Sequence, residues 1–168
     1  MRVILSASAL IAVLAVSACS LPPWKEYPYP AWGFAASFRV PPKVTETPAS
    51  ADGATPHNIV VEAVQGGRRL VVAATDASTS TKSDDQLLSQ VPQAMAESQG
   101  GKVGTVTYVA IGKVVGREAM IELPDKTTQR VRVFVAGKKL YQLAAQSPLG
   151  PQDSEVVQFL DSVRLTGP

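Results

Sequence analysis

Short alternating runs separated by tight glycine turns constrain this chain more than any other feature. Residues 130–135 read Arg-Val-Arg-Val-Phe-Val, so Val131, Val133 and Val135 share one face of a strand. Ala136-Gly137-Lys138-Lys139 turns the chain, and residues 140–145 return. Residues 118–123 alternate as well, with Ala119, Ile121 and Leu123 inward and Glu118 and Glu122 on a solvated outer face. Pro124-Asp125-Lys126-Thr127 turns the chain after them. Residues 59–64 and 69–74 are β-branched and apolar, joined by Gln65-Gly66-Gly67-Arg68. Two glycines permit the positive φ angles of a two-residue hairpin turn. That register sets Ile59 opposite Ala74, Val61 opposite Val72 and Ala63 opposite Leu70, all on one face.

Two helices interrupt the strands. Ser83-Asp84-Asp85-Gln86 spells a capping box with acids at the positive helix end. Leu87, Leu88, Val91 and Met95 form its apolar stripe. Pro92 removes a hydrogen bond to residue 88 and is expected to kink or split the helix, and Gly100-Gly101 ends it. Asp153 or Ser154 caps a final helix with Val156, Val157, Leu160 and Val163 on its apolar face. Residues 34–40 read as the first strand, halted by Pro41-Pro42, and residues 103–111 as another. Residues 43–57, rich in Thr, Pro, Ala, Ser, Asp and Gly, read as loop, with His57 solvated.

The chain opens differently. Arg2 precedes an unbroken run of apolar and small residues from Val3 to Val16, and Val16-Ser17-Ala18-Cys19 closes it. The run suits an export segment of about 7 to 15 residues rather than a spanning helix of roughly 20. It resembles the lipobox of bacterial lipoproteins, which implies a signal peptide over residues 1–18 and a lipid on the Cys19 thiol. Cys19 is the only cysteine, so an unlipidated thiol would have no disulfide partner in an oxidising compartment. Two or three acyl chains give lasting attachment, because each buried methylene contributes about 0.8 kcal/mol. Ser20 in place of aspartate implies the periplasmic face of the outer membrane if the host is Gram-negative.

Residues 19–32 then read as a tether rich in proline and aromatic residues. An extended proline-rich chain of that length reaches roughly 40 Å. Trp24 is a candidate contact for the membrane interface. The preferred alternative is that Trp24, Tyr27 and Trp32 fold back and cover an apolar edge, Trp32 above all. Residues 33–168 make one domain, large enough for a core without disulfides.

The order of elements resembles the Mog1/PsbP-like family. The likeness rests on Phe34-Ala-Ala-Ser-Phe-Arg-Val-Pro41, Gly116-Arg117-Glu118, Gly137-Lys-Lys-Leu-Tyr141-Gln-Leu and Phe159-Leu-Asp-Ser162. It spans residues 33–166 and implies an α+β fold: a mostly antiparallel β-sheet with helices on both faces, an α/β/α sandwich. Members of that family are largely non-catalytic, and include photosystem II extrinsic subunits, a Ran-binding protein and bacterial lipoproteins. No binding residue carries over, since their partners use different surfaces.

Composition narrows function further. Sixteen basic against fourteen acidic residues do not make the concentrated basic face of a nucleic-acid binder. One histidine and one cysteine do not build the usual nitrogen and sulfur metal site. Gly100-Gly101-Lys102 lacks the upstream glycine and following Ser/Thr of a phosphate loop. No Gly-x-Ser-x-Gly elbow presents a nucleophile. The expectation is a non-catalytic, membrane-anchored binding or accessory module of the cell envelope, without cofactor, with an unidentified envelope partner. The alternative is a small-ligand carrier or enzyme with a pocket between sheet and helices. Arg68, Arg69, Lys138 and Lys139 all sit at hairpin tips, and would form one basic patch if the topology joins those tips.

Overall fold

The computed structural model describes residues 21–166. The export run, Cys19 and Ser20 lie outside the described residues. A seven-stranded antiparallel sheet dominates, in the order β3-β4-β5-β9-β8-β7-β6. Its strands are β3 (Lys43–Thr47), β4 (Asn58–Gln65), β5 (Arg68–Asp76), β6 (Lys102–Ile111), β7 (Val114–Glu122), β8 (Thr128–Ala136) and β9 (Lys139–Gln146). A three-stranded antiparallel sheet joins β1 (Lys25–Tyr29), β2 (Phe34–Phe38) and β10 (Arg164–Leu165) in the order β1-β2-β10. Two helices complete the fold, α1 (Asp84–Ser98) and α2 (Ser154–Ser162).

The β4–β5 hairpin has the register expected from its turn. Ile59 pairs with Ala74, Val61 with Val72 and Ala63 with Leu70, and all six side chains are buried. Gly66 and Gly67 both have positive φ, at 54° and 76°, which matches the right-handed strand twist at no steric cost. Val61, Leu70 and Val72 pack in the main core with Phe34, Phe38, Phe134, Leu143 and α2's Val156, Phe159 and Leu160. Next to Leu143 and Ala145 in β9, Ala144 instead joins a second, smaller core with Ala96 of α1, Ala119, Ile121 and Val131. One core holds α2 residues and the other holds Ala96 of α1.

Two expectations change in this part of the chain, while Tyr27 and Trp32 do fold back onto the domain as preferred. The supposed tether is folded from Lys25 onward, because β1 pairs with β2 and puts Tyr27 and Tyr29 against Phe38 and Phe34. Pro28 is tolerated since β1, among the described residues, is an edge strand paired on one side only. Trp32 is 5% exposed in the main core, and its carbonyl accepts the Tyr141 hydroxyl at 3.0 Å. Within residues 43–57, Lys43–Thr47 is a strand rather than loop, paired with β4. All five of its residues are exposed, so burial left no hydrophobic period in them to read.

α1 runs unbroken through Pro92. The Pro92 ring and Ala96 are its buried residues, while Leu87, Leu88, Val91 and Met95 are half-buried. Small and ring-shaped side chains let the helix sit close on β6, β7 and β8, and this packing offsets the hydrogen bond that proline forgoes. The capping box forms in both directions between Ser83 and Gln86. At the other end, Gly101 N–H donates to the Ala96 carbonyl at 2.8 Å and Gly100 N–H to Glu97 at 3.0 Å, a Schellman closure.

Candidate functional site

The densest polar cluster lies where the described chain begins. Leu21 rests on the β4–β5 turn, its Cδ1 3.3 Å from where a Cβ on Gly66 would stand. Arg39, just past β2, donates to the Pro22 carbonyl at 2.6 Å. Its guanidinium lies 5.1 Å from the Trp24 ring centre, and its Nε and Nη2 reach Glu155 Oε1 at 3.0 and 2.9 Å. The buried Gln65 side chain accepts the Arg39 amide at 2.8 Å. Beside this, Arg68 Nε donates to Asp153 Oδ2 at 2.6 Å. Asp153 also accepts from the Ser147 hydroxyl and from the Glu155 amide, which caps α2. The arrangement fastens residues 21–24, a hairpin turn and a helix N-terminus into one charge-neutralised unit.

Burial pushes the Asp153 carboxyl up, but the Arg68 guanidinium, the Ser147 hydroxyl and the Glu155 amide outweigh it and hold it below the usual carboxylate range. A second network behaves alike. Glu118 bridges Arg130 at 2.9 Å and Arg132 at 2.6 Å, and Arg132 also reaches Asp161 of α2 at 2.8 Å. Burial raises Glu118, and its two arginines more than reverse this. Carboxylates depressed in the folded state contribute stability that is present above their unfolded values, near pH 4, and lost as pH falls through their folded values. Urea midpoints are therefore expected to be level from pH 7 to about pH 5 and to fall below about pH 4, the unfolding free energy dropping with a slope that approaches about 2.7 kcal/mol per pH unit for two such groups. An unchanged midpoint at pH 3 would contradict the assignment.

Glu118 corrects the sequence reading, for it is 13% exposed rather than solvated. Arg130 and Arg132 alternate with Val131 and Val133 along β8, and both arginine side chains are largely withdrawn from solvent beside it. Glu122 does stand in solvent, paired with Lys126. His57 is also not a free loop side chain. Its ring lies 4.6 Å from that of Trp32, and Nε2 is 2.8 Å from Glu46.

The basic hairpin tips do not meet. Arg69 lies level with Gln146, whereas Lys139 lies level with Asp76 at the other end of β5. Seven residues of strand separate them by about 24 Å, well beyond the screening length of about 8 Å. Arg68 and Arg69 are moreover neutralised by Asp153 and Glu62. Arg68 is 13% exposed, so it serves the fold's interior rather than a surface patch. Trp24 is half-buried against Arg39 at the same end as Arg68. The Arg39–Glu155 and Arg68–Asp153 pairs escaped sequence reading because 116 and 85 residues separate the partners. Only Asp153's capping role had a local signal.

The cavities are shallow. One of about 270 Å³ lies between residues 77–82, the start of α1 and the β8–β9 turn. Another of about 240 Å³ runs over Val60, Val71, Ala73 and Ala144 beside Met95. Sites for drug-sized ligands are commonly about 300–1,000 Å³. Among the described residues, no three His, Cys, Asp or Glu side chains group as metal ligands.

This is an α+β protein of two antiparallel sheets and two helices. The chain is similar to the solution structure of cyanobacterial PsbP (CyanoP) from Synechocystis sp. PCC 6803, with a TM-score of 0.59 over 91% of this chain and 98% of that one. The sequences are 10% identical, so the likeness shows a PsbP-like fold. No family model and no curated protein sequence matches the chain.

Proposed function

We propose that the chain is a lipid-anchored, non-catalytic accessory or binding module of a bacterial cell envelope. The observation that carries this reading is the lipobox-like run ending at Cys19. The PsbP-like fold and shallow cavities support it over a small-ligand carrier. In the same reading the domain is an α/β/α sandwich with one helix on each face of the large sheet, as the alternation of Leu143, Ala144 and Ala145 between two cores suggests. Ser20 after the cysteine favours the periplasmic face of the outer membrane in a Gram-negative host.

The anchor would act by confinement: holding the domain in two dimensions raises its effective concentration near other envelope components. Strands β3 and β6 are the open edges of the large sheet, where an envelope protein could add a strand. The mature protein is expected to partition into membranes with a lipid mass on Cys19, and Cys19→Ala to release it. Mass spectrometry of the N-terminal peptide and fractionation of the variant read both. A bare thiol, or a variant still fully membrane-bound, counts against the anchor.

A further inference from the structure

We infer that the end of the domain formed by residues 21–24, the β4–β5 turn and the loop after β9 rests directly on the bilayer surface through apolar contacts. The inference rests on the anchor reading and adds to it an orientation and a contact surface. Residues 25–29 are committed to a strand, so they are not a spacer. Only Ser20 stands between Cys19 and Leu21, and the two steps along the chain span at most roughly 7 Å. Leu21 is itself docked on the Gly66 turn, and Arg39 grips the Pro22 carbonyl. A lipid at Cys19 therefore brings this end, and no other, to the headgroups.

That end is dressed for such a contact. Leu149 is 74% exposed, Val64 66% and Leu21 37%. Pro148 lies against the turn, 3.7 Å from the Cβ position of Gly67, which brings Leu149 to the same end of the domain as Val64 and Leu21. Exposed large apolar side chains at one tip match the shallow insertion expected at a membrane interface. The neighbouring arginines are held by carboxylates, Arg68 by Asp153 and Arg69 by Glu62. The contact is thus apolar rather than electrostatic, and it does not require anionic lipid.

The opposite end carries the β6–β7 turn with Lys113, and Lys138 of the β8–β9 turn, both exposed. The chain's last described strand also finishes there, since Thr166 N–H donates to the Gly33 carbonyl. The far end therefore faces away from the membrane, with the Trp32–His57 contact and the cavity at the β8–β9 turn beside it.

The test uses full-length, lipidated protein in phosphatidylcholine vesicles that contain spin-labelled lipid. Leu149→Cys and Lys113→Cys are each labelled with an environment-sensitive fluorophore. The label at 149 is expected to shift to the blue and lose most of its emission to the quencher, and the label at 113 to do neither. High salt leaves this result unchanged. Flotation of the same samples separates the two readings. Protein that floats but is quenched equally at both positions, or at neither, overturns the seating while the anchor stands. Quenching at 149 that high salt abolishes overturns the apolar contact. Protein that does not float overturns the anchor, and the seating with it.

Discussion

Asp153→Ala is expected to destabilise the domain by about 3–5 kcal/mol, the usual cost of removing one partner of a buried ion pair. Three groups lose their partner at once. Arg68 is left with its charge inside, the Ser147 hydroxyl loses its acceptor, and the Glu155 amide at the start of α2 loses its cap. Capping alone contributes about 1 kcal/mol, so most of the loss belongs to the charge. Asp153→Asn keeps a capping oxygen and should fall between the wild type and the alanine variant. Replacing both partners, Arg68→Met with Asp153→Leu, should recover much of the loss, because no unpaired charge remains. Urea unfolding at pH 7 measures all three. A change under about 1 kcal/mol for Asp153→Ala would mean that water already compensates Arg68.

Gly116→Ala comes second, with an expected cost of about 3 kcal/mol or more. Gly116 lies in β7 opposite Phe134. A Cβ there would stand 2.2 Å from the Val133 carbonyl oxygen and 2.5 Å from Phe134 Cδ1. Neither neighbour yields easily, since one is sheet backbone and the other a fully buried ring. The matched control is Gly104→Ala in β6, whose added carbon would meet only the Met120 carbonyl at 3.4 Å. That change should be close to neutral. Thermal melts by circular dichroism compare the two, and equal melting temperatures would sink the steric account.

The β-hairpin register, the capping box of α1, the Asp153 cap and the strands of residues 118–145 could be read along the chain. Each depends on contacts within a few residues, so the signal is local. The edge strand β3 could not, because all its side chains face solvent and alternation never arises. The strand through Tyr27 and Tyr29 was hidden for another reason, although the folding back of Tyr27 and Trp32 was expected. Proline-rich spacing looked like a tether, and only the apolar surface of β2 and the main core turns it into a strand and a buried turn.

The candidate site was far less legible. Arg68 and Lys138 are similar basic turn residues in sequence, yet one is locked to Asp153 beside Leu21 and the other is exposed at the far end. Glu118 and Glu122 alternate alike, yet one is clasped by two arginines and the other stands in water.

By itself the chain determined its turns, its caps, its hairpin pairing and the lipobox-like run at its start, for these are chemistry between near neighbours. Only the tertiary structure decided which charges are paired and which end of the domain stands beside residue 21. Those outcomes depend on groups brought together from distant parts of the chain, through burial that changes what each charge costs.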